Sequence, residues 1–181
     1  MNNSAKLRVR ITGFAAALVA TALAPAAGAE VFVDFGVNDT NTEGDIAGLP
    51  EKVETDAGGP HLGVGFRREL MKGSIGARLE LDDLDGESLL AVRAFDYRRH
   101  LSERFALTAF AGAARLDLDT PAYGWYLGGG VQLKDLWPRW SLGIDLRFGD
   151  KLARDNFDSQ APRPDDFYDL KGFAIYLSRG F

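Results

Sequence analysis

The sequence predicts an all-β protein, an eight-stranded antiparallel up-and-down transmembrane β-barrel preceded by a cleaved signal peptide. Three observations predict it: an export signal at the N-terminus, an alternation of apolar and polar residues along the rest of the chain, and connectors that alternate in length and charge. The composition excludes several classes of function. The 181 residues include no cysteine and two histidines, which excludes disulfides and thiolate metal sites. A net charge of −5 argues against nucleic-acid binding.

The first thirty residues have the order of a secretory signal peptide. Basic Lys6, Arg8 and Arg10 precede an apolar run over 11–24, and the small residues Ala27-Gly28-Ala29 stand before Glu30. The apolar run is shorter than the ~20 residues that a membrane-spanning helix needs. We therefore expect residues 1–29 to be removed on export and residues 30–181 to form one barrel domain.

After Glu30 the apolar residues recur with a period of two, which is the period of a β-strand. The clearest strand carries apolar Trp140, Leu142, Ile144, Leu146 and Phe148 between Ser141, Gly143, Asp145 and Arg147. The same alternation predicts strands over 31–37, 61–67, 74–81, 123–133 and 172–181. Segments 88–97 and 104–115 complete the eight, although their phase is ambiguous. In the first segment we favour an apolar face with Leu90, Val92 and Ala94, opposite Arg93. In the second segment we favour an apolar face with Phe105, Leu107, Ala109 and Ala111.

The apolar face could cover the core of a soluble sheet or meet lipid, because both kinds of antiparallel strand alternate. Glycine is frequent on the polar face, which suits the crowded interior of a small barrel better than a solvated surface. Aromatic residues lie near strand ends, where membrane barrels carry interfacial girdles: Tyr123, Trp125, Trp140, Phe148, Phe173 and Phe181. We therefore predict that the apolar face meets lipid.

The connectors support the same orientation. Those predicted outside the membrane (38–60, 82–87, 117–121 and 149–170) carry 18 acidic and 4 basic residues, a net charge of −14. Those predicted on the periplasmic side (67–73, 98–104 and 134–139) carry 3 acidic and 8 basic residues, a net charge of +5. Both long connectors fall on one side, as short periplasmic turns and long external loops require.

The C-terminal segment Gly172-Phe-Ala-Ile-Tyr-Leu-Ser-Arg-Gly-Phe181 resembles the closing strand of bacterial outer-membrane β-barrel proteins, and the chain is similar in size to the OmpA/OmpX-type eight-stranded barrels. The resemblance implies a Gram-negative cell outer membrane, with its lipid and lipopolysaccharide as partners. It also implies a barrel-assembly signal, read by the assembly machinery, at Phe173, Ile175, Leu177 and Phe181. Arg179 departs from the pattern, which usually has an apolar or aromatic residue there.

An eight-stranded barrel is only wide enough for side chains or one small ligand. The polar face predicts an ion-pair network in this lumen, because a charge buried without a partner costs several kcal/mol. Its charged members are Asp34, Arg67, Arg78, Glu80, Arg93, Asp145 and Arg147, completed by Tyr126, Gln132, Tyr176 and Ser178. We expect the inward glycines 36, 63, 65, 76, 128, 130 and 143 to make room for the arginines. The lumen is then filled and the role structural or interactive; the alternative is a narrow, porin-like channel or a small hydrophobic-ligand transporter.

No catalytic, cofactor or metal site is predicted. A lipopolysaccharide-modifying enzyme is the third hypothesis, but His61 lacks the His-x-Ser-Asn pattern of lipid A deacylases, and His100 lies in a basic turn. The acidic segments 82–87 and 165–169 are candidates to attract divalent cations, which favour oxygen ligands and would bridge the loops to lipopolysaccharide phosphates. The polar external loops would carry any partner contacts, and we expect a monomer.

Overall fold

The structure is a computed structural model, and it describes residues 28–46, 48–118, 121–154 and 166–181. These residues form eight strands: β1 (Ala29–Asp45), β2 (Val53–Leu70), β3 (Gly73–Leu84), β4 (Glu87–His100), β5 (Phe105–Asp117), β6 (Ala122–Trp137), β7 (Trp140–Arg154) and β8 (Phe167–Gly180). Most of the predicted signal peptide lies outside the described residues, so its cleavage stays a prediction. In the part of the chain described, no helix is long and apolar enough to cross a membrane.

The eight strands close into one barrel. Each strand pairs antiparallel with the next along the chain, and β8 pairs antiparallel with β1. Phe35 of β1 lies opposite Leu62 on one side and Leu177 on the other, which fixes the register at the closing seam. Closure pairs every strand edge, and this is a requirement for a sheet that crosses a bilayer. The predicted fold class is confirmed.

The connectors that we predict on the periplasmic side are short, as expected, with two to four residues between consecutive strands. Met71 and Arg139 have positive φ values of 50° and 67° in the two tightest turns. A positive φ at one residue is common where the chain reverses direction over two residues.

The external connectors were predicted too long. Strand β1 continues to Asp45 and β2 begins at Val53, so most of the predicted loop 38–60 is a hairpin. The predicted loop 149–170 is likewise strand at both ends, while its centre, with Pro162 and Pro164, lies outside the described residues. The strands have 12 to 18 residues, more than the ~9–11 that a tilted strand needs to cross a bilayer. The barrel thus projects beyond the membrane.

The two strands of ambiguous phase have the phase we favoured. Leu90 and Val92 of β4 point outward, whereas Arg93 is completely buried. Phe105 and Leu107 of β5 are also exposed on the outer face. A bulge between Arg93 and Phe95 explains the ambiguity, since it inserts one residue and turns the rest of β4 over. Beyond the bulge Phe95 points outward, and Asp96 and Arg98 point inward.

The polarity of the strands inverts where the barrel leaves the bilayer. On β1 the outward Val33, Phe35 and Val37 are followed by outward Asp39. Inside the barrel, the buried side chains change from charged to apolar toward the same end. A cluster of buried residues fills the outer end: Leu84, Leu89, Ala91, Phe110, Ala114, Leu116, Ala122, Tyr126, Leu152 and Leu170. The membrane part is therefore apolar outside and charged inside, and the projecting part is packed like a soluble protein.

This inversion predicts opposite sensitivities along one strand. Changing Ile144, which is exposed in the middle of β7, to Arg should cost about 2–4 kcal/mol of folding free energy, because the charge would face lipid. The matched substitution Asp150→Arg, also outward on β7 but beyond the apolar belt, should cost less than about 1 kcal/mol. Urea unfolding in liposomes measures both values. Equal costs for the two variants would contradict the inversion.

Candidate functional site: the barrel interior

The membrane part of the interior is filled by interlocking charged side chains. Six of the seven predicted lumen residues are buried there: Asp34, Arg78, Glu80, Arg93, Asp145 and Arg147. Arg67 lies instead at the periplasmic end, where its Nε donates to Glu30 Oε2 at 2.6 Å. We call Asp34, Arg78, Glu80, Arg93, Asp96 and Asp145 the ion-pair layer.

Arg93 is the centre of the ion-pair layer. Its guanidinium binds two carboxylates from different strands: Nη2 is 2.6 Å from Glu80 Oε1 and Nη1 is 2.6 Å from Asp145 Oδ2. The same group lies over the Phe110 ring, 3.4 Å from its centroid. A planar guanidinium suits this geometry because it can use separate N–H groups for each carboxylate and its face for the ring.

Arg78 connects the remaining carboxylates of the layer. Its Nη1 is 3.0 Å from Asp34 Oδ2 and 3.5 Å from Glu80 Oε1, and its Nη2 is 3.0 Å from Asp96 Oδ2. Neutral donors satisfy further carboxylate oxygens. The hydroxyls of Tyr176 and Thr108 donate to Asp145 at 3.0 and 2.9 Å, and that of Tyr126 donates to Glu80 at 3.0 Å. The layer and these donors thus connect seven of the eight strands across the lumen.

A second group lies on the external side of this layer. Asp82 accepts a hydrogen bond from Arg147 and lies 2.5 Å from His61 Nδ1. His61 Nε2 is 3.9 Å from Glu80, so the imidazole lies between two carboxylates. Arg147 also donates to the Thr40 hydroxyl at 3.3 Å. These contacts join the external group to the ion-pair layer.

Sequence reasoning missed Asp82, Asp96 and Arg98 as interior residues. Asp82 was counted in an external acidic tip, but it lies opposite His61 in the β2–β3 register and is completely buried. Continuing the alternation of β3 by one more residue pair past Glu80 would have found it. Asp96 and Arg98 follow the β4 bulge, and no residue in that segment marks the change of phase.

Three of the inward glycines make room for aromatic rings, not for arginines. A Cβ at Gly65, Gly128 or Gly143 would overlap the ring that crosses over it, belonging to Phe32, Phe110 and Tyr176 respectively. Gly63 has the predicted role, since a Cβ there would contact Asp34 and Arg78. Each ring covers the backbone of a neighbouring strand and presents a flat surface to a guanidinium.

The external rim carries its own exposed ion pairs. Lys171 of β8 donates to Glu43 of β1 at 2.7 Å, and Lys52 lies 3.5 Å from the same carboxylate. The hydrogen bond and charge of Lys171, assisted by Lys52, lower the pKa of Glu43 below its usual value. Glu43 and Lys171 lie on the strands beyond the apolar belt, and Lys52 lies in the connector before β2.

No protein-family model and no curated protein matches this chain. Solved structures do. Neisserial surface protein A aligns with a TM-score of 0.54 and 10% identity, covering 85% of this chain and 99% of that one. Ail, the attachment invasion locus protein of Yersinia pestis, aligns with a TM-score of 0.52 and 10% identity over the same shares. The fold is that of the small outer-membrane β-barrels.

The structure places the predicted assembly signal on the closing strand. Phe173, Ile175 and Leu177 alternate outward on β8, while the exposed Phe181 follows the strand and its amide donates to Val31 O at 2.9 Å. Arg179 stacks on Trp140, 5.4 Å from the ring centroid. Recognition of these residues by the assembly machinery stays a prediction.

Breaking the ion-pair layer should be costly. Asp145→Ala removes the carboxylate shared by Arg93, Thr108 and Tyr176 and leaves a buried guanidinium with one partner fewer. We expect a loss of about 3–5 kcal/mol in unfolding free energy. The control Asp117→Ala, which removes an exposed carboxylate 2.8 Å from Arg115, should change stability by less than about 1 kcal/mol. Urea midpoints and the gel mobility of unboiled samples measure both, and equal effects would contradict the layer.

The rim pair predicts a pH effect with a definite sign. Because the folded pKa of Glu43 is lowered, its contribution to stability is present above the unfolded pKa and is lost as the pH falls through the folded value. Lys171→Gln should raise the titration midpoint of Glu43, followed by carboxyl ¹³C NMR in detergent micelles. Lys151→Gln, an exposed lysine on the same rim, should leave it unchanged. An unchanged midpoint in Lys171→Gln would show that the pair does not form.

Proposed function

We propose that the protein is an integral outer-membrane barrel with a closed interior, which stabilises the membrane and presents an acidic surface outside the cell. The observation that carries this proposal is the ion-pair layer. Arg78, Glu80, Arg93 and Asp145 have no side-chain exposure to solvent. A lumen filled in this way leaves no continuous aqueous path.

The apolar cluster closes the barrel a second time. On the external side of Arg93, Phe110 and Tyr126 pack with their ring centroids 5.6 Å apart, and buried leucines lie in the same cluster. Opening a channel would require both the ion pairs and this cluster to separate. Because each barrier must be disrupted against favourable contacts, a permanently closed barrel is the simpler reading.

The projecting rim supports an interaction role. Strands that continue beyond the bilayer hold the external residues on a rigid support. The predicted external segments carry a net charge of −14, which includes the buried Asp82. Lipopolysaccharide and divalent cations are proposed partners of this rim. In the described ranges no group of three or more His, Cys, Asp and Glu is arranged to hold a metal ion, so we propose that any cation is shared with lipid phosphates.

The geometry favours a non-enzymatic role. His61 is completely buried inside the barrel and bound to Asp82, so it does not face the outer lipid leaflet where a lipid-modifying histidine would act. His100 lies at the periplasmic end of β4. Neither histidine is placed beside both a nucleophile and a lipid-facing surface, which is what such chemistry requires.

One observation favours the small-ligand alternative. A cavity of about 230 Å³ opens at the outer mouth, and its lining includes Leu84, Leu118 and Tyr168 together with Thr42 and Thr55. It suits a small amphiphilic molecule. The apolar cluster lies directly beneath it, since Leu84 belongs to both. Binding at the mouth is therefore compatible with a closed barrel, whereas transport is not.

Conductance in planar bilayers tests the closed interior. The wild-type protein should give no discrete current steps in about 1 M KCl, because no ion can pass without breaking buried ion pairs. Detergent without protein is the blank, and a known open porin is the positive control. Reproducible steps from heat-modifiable, folded wild-type protein would contradict the closed interior.

Dye entry into whole cells tests the membrane-stabilising role. Cells without the gene should take up a hydrophobic dye faster, and the wild-type gene should restore the barrier. The variant Ile144→Arg, which disturbs the lipid-facing belt, should restore it less well than Asp150→Arg. Equal dye uptake with and without the gene would contradict this role even if the barrel proved closed.

A further inference from the structure

A cavity at the periplasmic mouth lies outside the function proposed above. Its volume is about 250 Å³, and its lining includes Arg67, Arg98, Ser74, Lys134 and Trp140. Gln132 and Ser141 form part of the floor, where Gln132 donates to the Ser141 hydroxyl at 2.8 Å and accepts from Arg98 at 2.7 Å. These bonds hold the Arg98 guanidinium in one orientation.

Arg98 is a buried cation with unused hydrogen-bonding capacity. Only 4% of the residue is exposed, yet its Nη2 has no hydrogen-bond partner among the described residues. Its bonded partner is the neutral amide of Gln132, not a carboxylate. A buried guanidinium that hydrogen-bonds to a neutral amide, with no carboxylate at ion-pair distance among the described residues, is costly, so a ligand that supplied further negative charge would be bound favourably.

Arg67 provides a second unsatisfied donor at the same cavity. Its Nε is used by Glu30, but its Nη1 is buried and has no partner in the described part of the chain. The two guanidiniums face one ring, since Arg67 and Arg98 lie 4.9 and 5.3 Å from the centroid of Phe32. Both side chains line the cavity, and two guanidiniums beside one cavity are a suitable arrangement for an oxyanion.

The electrostatic surroundings favour an anion. Glu30, Glu69 and Asp135 also line the cavity, but Glu30 is engaged by Arg67, and Lys134 and Arg139 add two further cations. His100 at the mouth reports this balance. Burial lowers the pKa of its imidazole, and the positive charges of Lys134, Arg98 and Arg67 lower it further, against an opposing contribution from Glu69.

The position of the cavity selects the class of anion. Trp140 lines the cavity and also packs edge-on against Phe35 of the lipid-facing belt, with ring centroids 5.5 Å apart. Trp137 and Leu101 in the adjoining turns are 61% and 58% exposed. Exposed Trp and Leu at a strand end mark the level of the lipid headgroups. The abundant oxyanion at that level is phosphate, whose geometry a guanidinium matches.

We propose that this periplasmic cavity is a binding site for a phosphate group, held by Arg98 and Arg67 with the Ser74 hydroxyl and Lys134. The phosphate is supplied either by the headgroup of an inner-leaflet phospholipid or by a free phosphate ion. The site is distinct from the ion-pair layer, because Arg67 pairs with Glu30 and Arg98 donates to Gln132, not to the carboxylates of that layer.

The test follows the side-chain ¹⁵Nε–¹Hε NMR signals of Arg98 and Arg67 in maltoside micelles, which contain no phosphate. Sodium phosphate, added at constant ionic strength against chloride, should shift both signals saturably. In Arg98→Gln the Arg67 signal should report affinity at least about tenfold weaker, the loss expected for one charge-assisted contact. Lys72→Gln removes a charge from the same end but not from the cavity lining, and it should bind phosphate as the wild type does.

A second arm separates the two sources. In nanodiscs containing phosphatidylglycerol, an occupying headgroup would shift the Arg98 signal without added phosphate and make later addition ineffective. A free-ion site would leave the signal as in micelles and would still titrate. Should Arg98→Gln fail to fold, Lys134→Gln provides the weaker-binding variant. The proposal is overturned if neither phosphate nor phospholipid moves the Arg98 signal, or if Arg98→Gln and Lys134→Gln bind phosphate as tightly as Lys72→Gln.

Discussion

The interior of this barrel depends on the requirement that a buried charge must be paired. Arg93 meets it by binding Glu80 and Asp145 from opposite sides of the lumen, so one guanidinium ties together strands that are not neighbours in the sheet. Backbone hydrogen bonds join only adjacent strands. In the membrane part of the barrel, where the aliphatic side chains are directed to lipid, the ion-pair layer therefore supplies the cross-barrel contacts that an apolar core supplies in a soluble protein.

The same requirement explains the aromatic residues in a charged interior. A ring placed over an arginine lowers the cost of burying that cation without adding another charge, and Phe110 does this for Arg93. The ring needs space, and Gly128 on the adjacent strand provides it. Glycine, aromatic residue and arginine thus form a unit across two or three strands, which explains why glycine is frequent on the inward face.

The sequence was sufficient to predict the barrel because alternation is a local property that is repeated along eight strands. It was also sufficient for the inward direction of Asp34, Arg78 and Asp145, which lie in uninterrupted runs. It failed where the rule changed within a strand. The bulge after Arg93 hid Asp96 and Arg98, and no polar pattern distinguishes a bulged strand from a regular one. The external ends were taken as loops because their outward residues become polar, although apolar inward residues such as Leu152 and Leu170 continue the strands.

A strand that passes from lipid into water must change its pattern of apolar and polar residues. This change restricts where a binding site can lie in the barrel. Between the two water boundaries the apolar belt faces lipid, and the charged residues of the ion-pair layer bind partners across the lumen. Freedom to bind something else remains at the ends. At the external end the change of pattern produces an apolar cluster beneath a small cavity, near Leu84. At the periplasmic end it leaves Arg98 charged, oriented and without a carboxylate. A barrel whose middle is closed thus keeps its potential binding sites at the two ends, and the residues at the two ends differ in chemistry.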